Sequence, residues 1–369
     1  MKVGILTFHN AHNYGAVLQA YALKRTIEIL GNDVDIINYR NSAIEKEYDT
    51  DIKKVLGIKK KYFRNPGFLL YKIKEYKQRN YRKEAYLEKH RKFTAFINRY
   101  LLDGNDKVFA LDDLKNTNYD AFIVGSDQVW NVWLTDGLDP VYLLDFKTSA
   151  KKISYSASRG NVDMPNNEKK YFTKCIKEFD NVSVREEILK NELIDMGIKN
   201  AIVTSDPTLL IEKNEYEDML KDIDEKKYLL AYFVYENDEM MKIAKKIADD
   251  NQLKLIDIHY FLQKKYKLNN QLANIGPEEF LGYIKNAEIV ITNSFHGTIF
   301  SIIFEKQFYN FHDEDMRIDG LINRLKIKSR NLKNNNIEAM QVIEYSKVKK
   351  EMETLREESI KYLVGALDI

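Results

Sequence analysis

The chain has 369 residues, 44% hydrophobic and 31% charged, with only 5 Pro and 15 Gly, which excludes disordered, collagen-like and low-complexity polymers and leaves room for two sizeable cores. Its single cysteine, Cys175, excludes an internal disulfide framework or thiolate metal cluster and fits a reducing compartment, so a cytoplasmic protein is expected. The formal net charge of +2 hides a segregation, because residues 53–92 hold 15 Lys or Arg against three acids, a local +12 that leaves −10 for the rest.

In chain order the pattern predicts a strand at 2–8, a loop at 9–15, a helix at about 16–30 stopped by Gly31-Asn32, and a strand at 34–39, which is a βαβ opening. The N-terminal apolar run is too short for a signal peptide, and no later run reaches the roughly 20 residues that span a bilayer. Residues 43–105 interrupt the alternation with Lys- and Tyr-rich helical patterns, read as an insertion. Strand patterns resume at 121–124, 153–156, 182–184 and 202–204. A second β/α series follows, with strands at 228–235, 253–258 and 288–292 and helices at 239–250, 277–286 and 298–304. The expected organisation is an N-terminal α/β domain over 1–215 carrying the insertion, a C-terminal α/β domain over 225–345, and a helix at 346–369 packing back toward the first domain. No internal repeat is present.

Two doubly wound sheets place ligands at the carboxyl ends of their strands. The polar clusters lie there: His9 to Asn13, Gly125 to Gln128, Ser156 to Arg159, Arg185-Glu186, Ser205 to Pro207, His259, and Asn293 to Gly297. His296 follows a buried-strand pattern just before a helix, where unpaired N–H groups favour an anion and imidazole serves as acid or base; a buried histidine bonded to backbone is the alternative. Asn13 and Gly15 sit at a strand-to-helix turn where glycine lets backbone approach a phosphate or carboxylate. No G-x-G-x-x-G or G-x-x-x-x-G-K-[ST] pattern occurs.

Asp127, Trp130 and Trp133 combine a carboxylate with aromatic faces, a set suited to a sugar ring or equally to helix packing. Arg159 and Arg185 offer planar forks for an anionic ligand, or salt bridges. Asp206 reads as a functional carboxylate or as an N-cap before Pro207. The acidic clusters His312-Asp313-Glu314-Asp315 and Asp222-Ile223-Asp224 read as solvated surface, so neither a metal site nor a cofactor is expected. The basic segment 53–92 interleaves Tyr62, Phe63, Phe68, Tyr71, Tyr76, Tyr81 and Tyr86 with its cations; no nucleic-acid module accompanies it, and a solvated helical lid or contact with an anionic bilayer are the remaining readings.

Taken together, residues 13–20 (NYGAVLQA), 124–131 (VGSDQVWN), Ser183-Val184-Arg185-Glu186, Asp206-Pro207, Ser294-Phe295-His296-Gly297 and Met316-Arg317-Ile318 through Leu325 resemble the polysaccharide pyruvyl transferase family. The likeness runs over roughly residues 3–330. It implies two Rossmann-like domains arranged as in GT-B glycosyltransferases. It also implies transfer of pyruvate from phosphoenolpyruvate onto two hydroxyls of a glycan sugar as a cyclic ketal, in surface polysaccharide synthesis.

The resemblance assigns His296 as general acid/base, Asp127 as the acidic position after the glycine, and Arg185 as a phosphoenolpyruvate contact. Ser294 stands where other members carry an arginine and Ala16 where they carry an acid, so Arg159 or Arg317 is expected to supply the missing charge. Asn13, Gly15, Trp130, Asp206, Ser294 and Gly297 complete the candidate binding set. A lipid-linked acceptor approached through residues 53–92, at the inner face of a membrane, is part of this expectation. The alternatives are a GT-B glycosyltransferase with a nucleotide-sugar donor, and a non-catalytic binding protein on the same scaffold.

Overall fold

Strands that are apolar on both faces have to be covered by helices on both faces, and that condition makes parallel sheets. Val3, Ile5, Leu6, Ile123 and Val124 in one half, and Leu229, Leu230, Val290 and Ile291 in the other, are fully buried. The computed structural model describes residues 1–48, 70, 83–235, 238–259, 271–313, 315–333 and 341–369. The first sheet contains β1 (Lys2–Leu6), β2 (Asp33–Ile36), β3 (Ala121–Asp127), β4 (Lys151–Ala157), β5 (Asn181–Val184) and β6 (Ile202–Val203). Its order is β2-β1-β3-β4-β5-β6, parallel throughout. The second contains β7 (Tyr228–Tyr232), β8 (Lys254–Ile258), β9 (Gln271–Leu272), β10 (Ile289–Thr292) and β11 (Gln307–Asn310) in the parallel order β11-β10-β7-β8-β9. Two doubly wound α/β sheets, as expected from the sequence, make up the fold.

Strand order reverses between β1 and β3 in one sheet and between β7 and β10 in the other. Those reversals open crevices at the carboxyl ends of the strands, and the loops leading into α1 (Tyr14–Ile29) and following β10 occupy them. Two further differences from the sequence pattern matter. The strand after 228 ends at Tyr232, and the helix placed at 298–304 starts at Phe295, so His296 lies inside its first turn. Within the inserted stretch the structure has helices at Ser42–Tyr48 and α2 (Lys83–Phe96), the latter running into a π-helical turn at Ile97–Leu101. Residues 53–69 and 71–82, most of the basic aromatic segment, lie outside the described residues.

The helices that position the site are α3 (Glu187–Asp195), α4 (Pro277–Asn286), α5 (Phe295–Ile303), α6 (Met316–Arg324) and α7 (Tyr345–Leu367). The halves meet through aromatic stacking: Tyr14 lies on Phe280 with ring centres 4.3 Å apart at 5°, and its hydroxyl donates to the Ile275 carbonyl at 3.1 Å. Such a pair adds about 0.5–1.5 kcal/mol beyond area burial. Lys92 of α2 bridges to Glu279 of α4 at 2.8 Å. Helix α7 starts on the second half, where the Tyr345 hydroxyl donates to the Ser301 carbonyl, and ends on the first, where the Tyr362 hydroxyl donates to the Ser154 carbonyl at 2.8 Å. Midway, Ser359 Oγ accepts the Ser205 N–H, and Arg356 reaches the connection between the halves through the Leu209 carbonyl at 3.1 Å. Among the described residues no helix is long and apolar enough to cross a membrane.

Candidate active site

Three loops bring the site together. At the end of β6, Asp206 caps the short turn Pro207–Leu209: its Oδ1 accepts from the Thr208 N–H at 3.0 Å and the Thr208 hydroxyl at 2.6 Å. The cap reading of Asp206 is met by Oδ1 alone, and its other oxygen is directed elsewhere. Oδ2 lies 2.8 Å from Arg185 Nη2, from the end of β5, and 3.5 Å from His296 Nε2, from the opposite half. All three side chains are buried, and the Asp206 carboxylate entirely so. Burial opposes ionisation of Asp206, yet Arg185 and then His296 outweigh it and hold the carboxyl well below the usual range.

Arg185 is only partly satisfied. Its Nη2 donates to Ser126 Oγ at 2.5 Å, whereas Nε and Nη1 are buried without a hydrogen-bond partner among the described residues. Buried guanidinium N–H groups without acceptors are costly, by about 1–3 kcal/mol each or more for charged groups. The Phe295 ring packs against this guanidinium at 5.1 Å and against that of Arg317, on α6, at 5.6 Å. Arg317 in turn is gripped by Asp315 through two bonds, at 3.1 and 2.7 Å. Arg185, Glu186, Asp206, Phe295 and Arg317 line one cleft of about 380 Å³.

The remaining sequence candidates fall into two groups. His296 is positioned by local capping: Ser294 Oγ accepts the Gly297 N–H at 3.2 Å, and Gly297 is glycine because a Cβ there would lie 2.5 Å from Thr292 Oγ1. Ser294 and Gly297 therefore shape the turn that presents the imidazole. Asn13 likewise caps α1, accepting from Gly15 and Ala16 N–H at 3.0 and 3.3 Å. Gly15 permits a close approach of the His296 imidazole, since a Cβ would sit 2.0 Å from its Nδ1. Asp127, half-buried at φ 73°, accepts the Gln128 N–H at 2.8 Å, and its charge acts on Arg317.

Two expectations are overturned by packing. Arg159 is held by Glu192 of α3 through Nε at 3.2 Å and Nη2 at 2.6 Å, while Nη1 donates to the Val162 carbonyl, so it forms a structural ion pair. Trp130 is buried against Phe172 and Phe179, and its indole N–H donates to the Tyr142 carbonyl at 3.0 Å, leaving no face for a sugar. Trp133 is the exposed tryptophan, at 76%. Arg317, and not Arg159, is the second cation of the cleft. His9 bonds the Thr7 carbonyl and Asn38, and His12 stacks on Phe93 with its ionisation pushed down to about 3 by burial, then by His90 and Lys89. Among the described residues no three His, Cys, Asp or Glu side chains are grouped to hold a metal.

Ser126, Glu186 and Phe295 stand inside clusters the sequence marks, without a role of their own there; in the fold Glu186 and Phe295 line the cleft, and Ser126 accepts from Arg185.

The family model described as polysaccharide pyruvyl transferase matches residues 13–311 of this chain. No curated protein matches it. Among solved structures the chain is similar to UDP-GlcNAc 2-epimerase from Methanocaldococcus jannaschii, with 14% identity, TM-score 0.47, and 96% of this chain and 93% of that chain covered. E. coli heptosyltransferase WaaC with ADP gives 12% identity, TM-score 0.40 and coverage of 96% and 100%. Arabidopsis thaliana UGT89C1 gives 9%, TM-score 0.46 and coverage of 100% and 99%.

Proposed function

Since the chain belongs to the polysaccharide pyruvyl transferase family and is therefore a transferase, we propose that it moves the pyruvyl group of phosphoenolpyruvate onto two hydroxyls of a glycan sugar. The observation that carries this reading is Arg185, two of whose buried nitrogens lack acceptors among the described residues, in a cleft where it pairs with Asp206, itself 3.5 Å from His296. An anionic donor supplies the missing acceptors, and Arg317 adds a second cation across the Phe295 ring.

The chemistry requires one proton to reach the methylene carbon of the enol ester, converting it to methyl and building positive character at the adjacent carbon. One sugar hydroxyl oxygen bonds to that carbon, and the second displaces phosphate. Of the two hydroxyl protons, one balances the new methyl and the other leaves with the phosphate. Asp206 holds the Nε2 edge of His296, which leaves Nδ1, lying over Gly15, to take and return the hydroxyl proton. The fixed charges of Arg185 and Arg317 oppose the build-up of negative charge on the departing phosphate. The acceptor is a polysaccharide-forming glycan; its lipid-linked form and a membrane contact through residues 53–92 remain part of the proposal, as does a cytoplasmic location.

Calorimetric titration with phosphoenolpyruvate tests the donor. Saturable binding that Arg185→Ala weakens by about 1.5–3 kcal/mol, the range for a charged hydrogen bond, supports it. Because that change leaves Asp206 without its nearest cation, Arg185→Lys serves as the variant that keeps the charge. Binding of a nucleotide sugar, with none of phosphoenolpyruvate, would replace this reading with that of a glycosyltransferase.

A further inference from the structure

Glu186 is a buried charged residue of the cleft to which the chemistry above gives no part. It follows Arg185 at the end of β5, caps α3, is 7% exposed and lines the cleft with Arg185 and Arg317. Its Oε1 accepts from the Ser158 hydroxyl at 2.5 Å, while Oε2 is buried with no hydrogen-bond partner among the described residues. A carboxylate in that position lacks the hydrogen-bond donor that a buried anionic oxygen needs, whereas a neutral carboxylic acid loses far less.

The surrounding charges sharpen the point. Arg185 is paired with Asp206, and Arg317 on α6 with Asp315. From the end of β4, Arg159 is held by Glu192 of α3; Arg324 on α6 is paired with Glu358 of α7, and Glu187 with Lys190. Asp127, from the end of β3, acts on Arg317 as well. Each arginine facing the cleft already meets a carboxylate, so the ionisation of Glu186 decides how negative the cleft becomes. Burial pushes its carboxyl up, against the pull of Arg185, Ser158 and Arg317.

We propose that Glu186 is a proton-linked positioning residue, which admits the anionic donor as the neutral acid and takes up a proton when the anion settles against Arg185 and Arg317. The inference rests on the donor reading only for the identity of that anion. An anion beside an ionised carboxylate is repelled, and one beside a neutral acid is not. By linkage, protonation and anion binding then favour each other by the same factor. Affinity therefore falls as pH rises through the Glu186 ionisation, by up to about tenfold per pH unit.

The test is calorimetric titration of the full chain with phosphoenolpyruvate, inorganic phosphate and pyruvate, from acid to mildly alkaline pH, in buffers of different ionisation heat. Wild type is compared with Glu186→Gln, which fixes the neutral form. The difference between the two cancels proton exchange by every other group, including the ligand's own phosphate. The expected result is extra proton uptake by the wild type and a fall of its affinity with pH, both missing from the variant, whose affinity stays near the wild-type acid value. Identical proton uptake and pH profiles, or no anion bound at all, overturn the inference. Phosphoenolpyruvate binding with no such difference removes Glu186 and keeps the donor reading. A difference seen with phosphate or pyruvate, but no phosphoenolpyruvate binding, does the reverse. If Glu186→Gln does not fold, infrared difference spectra of the wild type decide: a protonated-carboxyl band must grow as the anion binds, and its absence overturns the inference.

Discussion

Arg159 and Arg185 each follow a strand of the first sheet, each is buried, and each carries the same fork of N–H donors. At the end of β4 the fork is filled: Glu192 takes two donors and the Val162 carbonyl a third. At the end of β5 it is not: Ser126 takes one, Asp206 offers charge, and Nε and Nη1 face no acceptor among the described residues. The lesson is that position and residue type mark candidates for binding, while completeness of the hydrogen bonding separates a strut from a receptor. The same contrast divides the histidines, since His12 is stacked among rings and His296 stands against a buried carboxylate.

The comparison breaks most visibly at His296. His296→Gln is expected to lower turnover by about 10²–10⁴-fold while donor binding measured by calorimetry stays, because general acid–base catalysis contributes in that range. Next in size is the matched exchange of each arginine. Arg185→Lys keeps the charge and loses the unfilled fork, so donor affinity falls by about 1.5–3 kcal/mol in the same titration. Arg159→Lys is expected to leave donor affinity unchanged and to reduce stability by about 1 kcal/mol in urea unfolding. Glu192 is partly exposed, so solvent screens the pair, whose worth is correspondingly small. A donor affinity equally sensitive to both exchanges would erase the distinction.

The smallest effect at neutral pH belongs to His12. Its folded-state ionisation is lowered from 6.5 to about 3, so the unfolded chain binds more protons between those values and stability falls as pH drops through that window. His12→Phe is expected to flatten this acid-side slope in thermal unfolding and to change little at pH 7. An unchanged slope would show that the ring is protonated in place.

Much of the architecture is legible in the residues themselves. Runs such as Ile289-Val290-Ile291-Thr292, apolar on both faces, announce buried parallel strands, and polar clusters behind them mark where ligands bind. What strand-end position alone does not determine is the partner of each polar group. Trp130 and Arg159 were attractive by type, yet Phe172 and Glu192, distant in sequence, occupy them. Asp206 shows the opposite case, since one carboxylate satisfies a local cap and a long-range pair through different oxygens. The start of α5 at Phe295 is set by the Ser294 cap and the Thr292 hydroxyl, which accepts the Ser294 N–H, local bonds that override the later start suggested by the apolar pattern. Glu186 was quoted as part of a motif, but its unpartnered oxygen exists only in three dimensions.

The peptide crosses between the two halves once after Leu209 and returns along α7, and Arg356 rivets the outgoing strand to the returning one. A body joined to its neighbour by two pins turns about the line through them and resists twisting across it. Because His296 rides on one half and Asp206 on the other, any swing about that axis changes the distance between them. Cutting the rivet, by Arg356→Ala, would loosen the axis while leaving every residue of the cleft in place.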